Sequence, residues 1–115
     1  MGVPEKPLVW LHGQIKTPPF SREARLEAGF LLRRLQQGAV PAMPHARKMP
    51  SIGPRCWELR IRDAQQNWRI FYRIDTDGVV ILAVHDKKSE RALQQVLNVC
   101  RQRLGRYKEA AGRKR

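Results

Sequence analysis

Between Arg55 and Lys88 the chain reads RCWELRIRDAQQNWRIFYRIDTDGVVILAVHDKK, two segments that alternate apolar and charged residues followed by one continuous apolar run. A two-residue period sends successive side chains to opposite faces of a strand. Trp57, Leu59 and Ile61 therefore share one face of a first strand, with Glu58, Arg60 and Arg62 on the other. The second segment repeats the scheme, setting Trp68, Ile70, Tyr72 and Ile74 against Arg69, Phe71 and Arg73. Val79 to Val84 is apolar throughout, which predicts an interior strand covered on both faces. The links are short: Asp63 to Asn67 makes a hairpin connection, and Asp75-Thr76-Asp77-Gly78 makes a turn through its Asp-Gly pair. Three consecutive antiparallel strands follow, with arginines standing on one face.

The flanking segments supply cover for that sheet. Leu8 to Leu11 is apolar and precedes Gly13, which predicts a further strand at an edge. Pro18 and Pro19 break regular structure, and Ser21 is placed to cap a helix in which Ala24, Ala28, Leu31, Leu32 and Leu35 line one face. Gly38 can end it in the left-handed conformation, while Arg22, Arg25, Arg33 and Arg34 occupy the opposite face. Ala39 to Pro54 holds Pro41, Pro44, Pro50 and Pro54 and reads as a connecting loop, with His45, Arg47 and Lys48 as candidate contacts to a nucleic-acid backbone. Ser89 and Glu90 open a second helix whose apolar stripe is Leu93, Val96, Leu97, Cys100 and Leu104. Beyond Gly105 a basic tail, residues 105–115, is expected to be flexible. Residues 1–115 are expected to form a single α+β domain.

Charge narrows the partners. Against 10 Asp and Glu the chain carries 23 Lys and Arg, a net charge of +13, which points to a polyanion: RNA, DNA, an anionic membrane surface or an acidic protein. No apolar run approaches the roughly 18 residues of a membrane span, and the N-terminus lacks the apolar core of a signal peptide, so a cytoplasmic protein is expected. Cys56 and Cys100 read as buried thiols. His12, His45 and His85 show no metal-ligand spacing, and neither a Gly-rich phosphate loop nor a cleft carboxylate pair is evident, so no cofactor or metal is expected.

What remains is a set of cations: Arg60, Arg62, Arg69, Arg73, Lys87 and Lys88. A guanidinium fork pairs with two phosphate oxygens at once and keeps its charge at every physiological pH. On RNA such a set can go beyond binding, because the ribose 2′-hydroxyl can attack its own phosphorus while preplaced cations stabilise the added negative charge. The proton acceptor is open between Lys87, Lys88 and His85. A structural role is open too for Arg69, as a salt bridge to Glu58 or Asp63, for Tyr72, as a core aromatic, and for His85, hydrogen-bonded at the end of a buried strand.

The strings KPLVWL, AGFLLRRLQQG, MPSIGPRCWELRIRD, WRIFYRI and VILAVHDKK resemble the phage-derived HigB-like branch of the RelE/ParE toxin superfamily, over nearly the whole chain to about Leu104. The resemblance implies a RelE-like fold, an antiparallel sheet with helices packed on one face, a C-terminal helix and a basic concave site. It further implies the toxin of a type II toxin-antitoxin pair, a messenger-RNA endoribonuclease that works in the ribosomal A site without a metal. The implied partners are the ribosome, messenger RNA and a cognate antitoxin, often a helix-turn-helix DNA-binding protein. By the same resemblance Arg69, Arg60, Lys87 and Lys88 match catalytic cations, with His85 a further candidate; Arg62, Arg73, Lys48 and Arg47 are expected to bind RNA. One position departs: RelE has a tyrosine in its last helix where this chain has Leu93. The competing expectations are a ParE-like inhibitor of DNA gyrase, separable by a supercoiling assay, and a non-catalytic RNA- or DNA-binding module, for which removal of Arg69 lowers affinity and its salt dependence.

Overall fold

The computed structural model describes residues 5–39, 45–64, 66–86 and 90–113. Five strands and two helices follow in the order β1 (Leu8–Trp10), α1 (Arg22–Gln36), β2 (Ala46–Lys48), β3 (Cys56–Arg62), β4 (Asn67–Ile74), β5 (Val79–Asp86) and α2 (Glu90–Arg113). The expected strands all form, and they join in one sheet of order β1-β5-β4-β3-β2. β3, β4 and β5 are antiparallel neighbours, as their short links require. The sheet is mixed, because β1 runs parallel to the first three residues of β5, with Val79 N–H donating to Pro7 O (2.9 Å) and Leu11 N–H to Ile81 O (3.0 Å).

The segment read as a loop from Ala39 to Pro54 contains β2, paired with Leu59 to Trp57 of β3. Three residues at a sheet edge are compatible with prolines on both sides, since an edge strand needs only one row of ladder bonds. Pro41 and Pro44 of that segment, and Ser89 before α2, lie outside the described residues.

α1 forms as its pattern dictates. The Ser21 hydroxyl accepts from Ala24 N–H at 3.1 Å, and Gly38 turns the chain at φ +95° just after the helix. Its stripe of Ala24, Ala28, Leu31, Leu32 and Leu35 packs with Leu59, Ile61, Ile70, Tyr72, Val79 and Ile81 on one face of the sheet. Phe20 stacks on Trp68 at the end of this layer, with ring centroids 4.1 Å apart.

α2 covers part of the opposite face. Leu93, Leu97, Cys100 and Leu104 meet Phe71, Val80 and Leu82, with Met49, Ile52 and Cys56 closing the layer. The continuous apolar run of β5 is thereby explained: Val79 and Ile81 serve one layer, Val80 and Leu82 the other. The helix runs through Gly105 to Arg113, into the segment read as a tail. Tyr107 extends the apolar stripe by one turn, packing on this layer with Arg73 5.8 Å from its ring centre. Cys56 and Cys100 are buried free thiols, and burial pushes Cys100 up to about 12.

Candidate anion-binding face of the sheet

A register shift in β5 decides what this face carries. Phe71 pairs with Ala83 but Tyr72 with Ile81, so Leu82 is the extra residue of a bulge. Its carbonyl accepts from Arg103 Nη1 at 2.7 Å, an α2 side chain thus satisfying the acceptor that the ladder gives up. Uninterrupted alternation would put His85 on the face of Val79 and Ile81. After the bulge it pairs with Arg69, which itself pairs with Arg60 on β3. Arg60, Arg69 and His85 therefore form one row across three strands, on the face opposite α1 and one pleat beyond the buried Phe71.

The row is held from beneath by Glu58. Its side chain is fully buried, yet it is ion-paired: Oε1 accepts from Arg60 Nε at 2.7 Å and Oε2 from Arg69 Nη1 at 2.8 Å. Arg47 Nε on β2 lies 3.9 Å from Oε1. A buried carboxylate is costly unless paired and hydrogen-bonded, and here two guanidinium groups meet both conditions. In return, each arginine loses rotamer freedom while most of its five N–H donors stay available. Three cations around one anion leave positive charge in excess.

Arg60 and Arg69 of the row, though not His85, line a cleft of about 740 Å³ together with Arg62, His45, Ile61, Asn67, Trp68 and Glu27. Its single acid, Glu27, lies 4.0 Å from His45. The opposite wall is fixed by Asp63, which accepts from Ser21 N–H (2.9 Å), Trp68 Nε1 (3.0 Å) and Ala64 N–H (2.8 Å). These bonds, the Ser21 amide first, hold the Asp63 carboxyl down to about 2. They tie the start of α1 to the β3–β4 hairpin and seat Trp68 beside Arg69.

Of the residues expected from sequence, Arg47, Arg60, Arg62, Arg69 and His85 come to this end of the sheet. Arg69 also makes the expected bridge to Glu58 while lining the cleft, and Asp63 is engaged elsewhere. Arg73 stands apart, buried beneath α2 and paired with Asp75 at 2.7 Å. Lys48 points to the other face of β2 and sits 5.8 Å from the Trp57 ring centre. Tyr72 is a core side chain, its hydroxyl pushed up by burial. Leu93 is core as well. Lys87 and Lys88 lie outside the described residues. Glu58 is a residue of the site that the sequence alone marks only as a bridge partner of Arg69. Its signal was a lone acid between basic strand positions, diagonal to Arg69 across the β3–β4 ladder. Among the described residues no three His, Cys, Asp or Glu side chains gather to hold a metal ion, and no helix is long and apolar enough to cross a membrane.

Fold and face together define a small α+β domain with braced arginines on one face of its sheet. The model of the family described as phage derived protein Gp49-like matches residues 19–105, and the chain belongs to that family. It is a family of RelE/HigB-like toxins. Searches of curated proteins and of solved structures return no significant match.

Proposed function

We propose that this chain is the toxin of a type II toxin-antitoxin pair and acts in the cytoplasm as a ribosome-dependent messenger-RNA endoribonuclease. The observation that carries the reading is the row Arg60, Arg69 and His85 above the buried Glu58. The 2′-hydroxyl attacks the adjacent phosphorus, its proton passes to a base, and the 5′-oxygen leaves with a proton, giving a 2′,3′-cyclic phosphate and a 5′-hydroxyl. Arg69 and Arg60 stabilise the charge that builds on the non-bridging oxygens. His85, opposite Arg69, is assigned the proton transfer, because Glu58 is committed to the two arginines and closed to solvent. Arg62 and Arg47 bind flanking phosphates. Lys87 and Lys88 follow β5 directly, and their part in the chemistry rests on the family likeness. A helix-turn-helix antitoxin is the proposed neutralising partner.

The test is cleavage of a defined message on programmed ribosomes, with cuts mapped by primer extension. Intact message at saturating protein overturns the reading, and inhibition of gyrase supercoiling in its place would move the chain to the ParE-like class.

A further inference from the structure

On the outward side of α1 two large apolar side chains that do not line the cleft are left in solvent: Leu26 is 58% exposed and Phe30 61%. They sit one turn apart on a single stripe. Gly29 lies beside them, also exposed, and a Cβ built there meets nothing within 4 Å. Glycine weakens a helix interior, and the packing of this chain does not call for one here. A glycine next to exposed apolar residues lets another backbone come close. The stripe is bordered by Arg22, Arg33 and Arg34, all exposed, with Glu23 and the half-exposed Glu27 as its acids. Arg34 lies 5.9 Å from the Phe30 ring centre, and Arg33 makes a loose pair with Glu5 at 3.7 Å.

We infer that this face of α1 is a docking surface for an acidic amphipathic helix of a partner protein. The apolar pair supplies the contact, the Gly29 notch admits a helix backbone, and the arginines select glutamates or aspartates on its flanks. A second copy of this chain is opposed by the same arginines facing one another and by the net charge of +13. An RNA has no use for the apolar pair. The inference is independent of the nuclease reading, since neither Leu26 nor Phe30 lines the cleft.

Two synthetic amphipathic peptides test it, sharing one leucine stripe and flanked in one case by glutamates and in the other by lysines, each titrated calorimetrically into the full chain. The glutamate peptide is expected to bind at least about tenfold more tightly. The double variant Leu26→Ser with Phe30→Ser, and separately Gly29→Gln, should each weaken it by about tenfold or more. Gly29→Gln should do so without lowering the melting temperature, because the fold has room for the side chain. Absence of binding, or binding that both variants leave unchanged, overturns the inference. So does a loss of self-association in the same variants, which would make the occupant a second copy, or of capture by phosphatidylserine vesicles, which would make it a membrane.

Discussion

Arg69 and His85 face one another across β4 and β5, and they do so because Leu82 is bulged out of the ladder. One inserted residue moves His85 from the α1 side of the sheet to the arginine side, where it stands in line with Arg60 as well. On the proposed mechanism, His85→Gln should reduce cleavage by roughly 10²- to 10⁴-fold while ribosome binding stays within about twofold. Single-turnover cleavage beside a binding titration measures both. Equal losses in the two would remove His85 from the chemistry.

For Arg69 the distinguishing comparison is between alanine and lysine. Arg69→Ala should cost about 10²- to 10³-fold in cleavage and lower the salt dependence of binding by about one phosphate's share. Arg69→Lys should recover the salt dependence and little of the rate, because a lysine cannot pair with Glu58 and with phosphate through one rigid fork. Full recovery by lysine would reduce Arg69 to a point charge.

The strands and both helix stripes were legible because their patterns are local: alternation fixed the faces of Trp57, Leu59, Ile61, Trp68, Ile70 and Tyr72, and the spacing from Ala24 to Leu35 fixed the buried side of α1. The placing of α2 was less so. An amphipathic stripe says which side of a helix is buried and nothing of which sheet face receives it; the clue lay in Phe71, Val80 and Leu82, which needed cover of their own. The bulge left no sequence mark, having neither glycine nor proline at Leu82 and Ala83. Glu58 was visible as a residue and invisible as a hub, because its role depends on a diagonal neighbour set by strand register. Tyr107 alone announced that the last helix continues past Gly105.

Acid should loosen the joint between α1 and the hairpin. The folded state holds Asp63 at about 2, below the roughly 3.9 of an unfolded aspartate, so its stabilising effect is fully present above about pH 4 and lost as pH falls towards 2. Asp63→Asn should therefore melt at a lower temperature than the parent chain at neutral pH, with the gap closing between about pH 4 and 2. Thermal melts followed by circular dichroism at several pH values would show it. A gap independent of pH would assign the effect to shape alone.

Gly13 offers a contrast with Gly29. Its φ is +88°, and a Cβ there would lie 3.0 Å from Val84 Cγ2 and 3.4 Å from the Val84 backbone nitrogen. Gly13→Ala combines left-handed strain with overpacking and should cost about 2–3 kcal/mol, read as a fall of roughly 10 °C in Tm. Val84 precedes His85, so cleavage by the folded fraction should fall too. Gly29→Ala, in open space on α1, should raise Tm slightly.

Glu58 is predicted to act through the arginines and never on RNA. Glu58→Gln keeps the shape and removes the charge, leaving Arg69, whose side chain is 12% exposed, without its counter-ion at 2.8 Å. Breaking a buried pair from one side costs about 3 kcal/mol or more, so Tm should drop, and cleavage should fall nearly as far as in Arg69→Ala. Double-mutant cycles then rank the partners. Coupling to Glu58 should be largest for Arg69, smaller for Arg60, which is 38% exposed at 2.7 Å, and near zero for Arg47, which is 46% exposed at 3.9 Å. Water screens each pair in that order. A Glu58→Gln chain that cleaves at the parental rate would show that the arginines hold their places unaided.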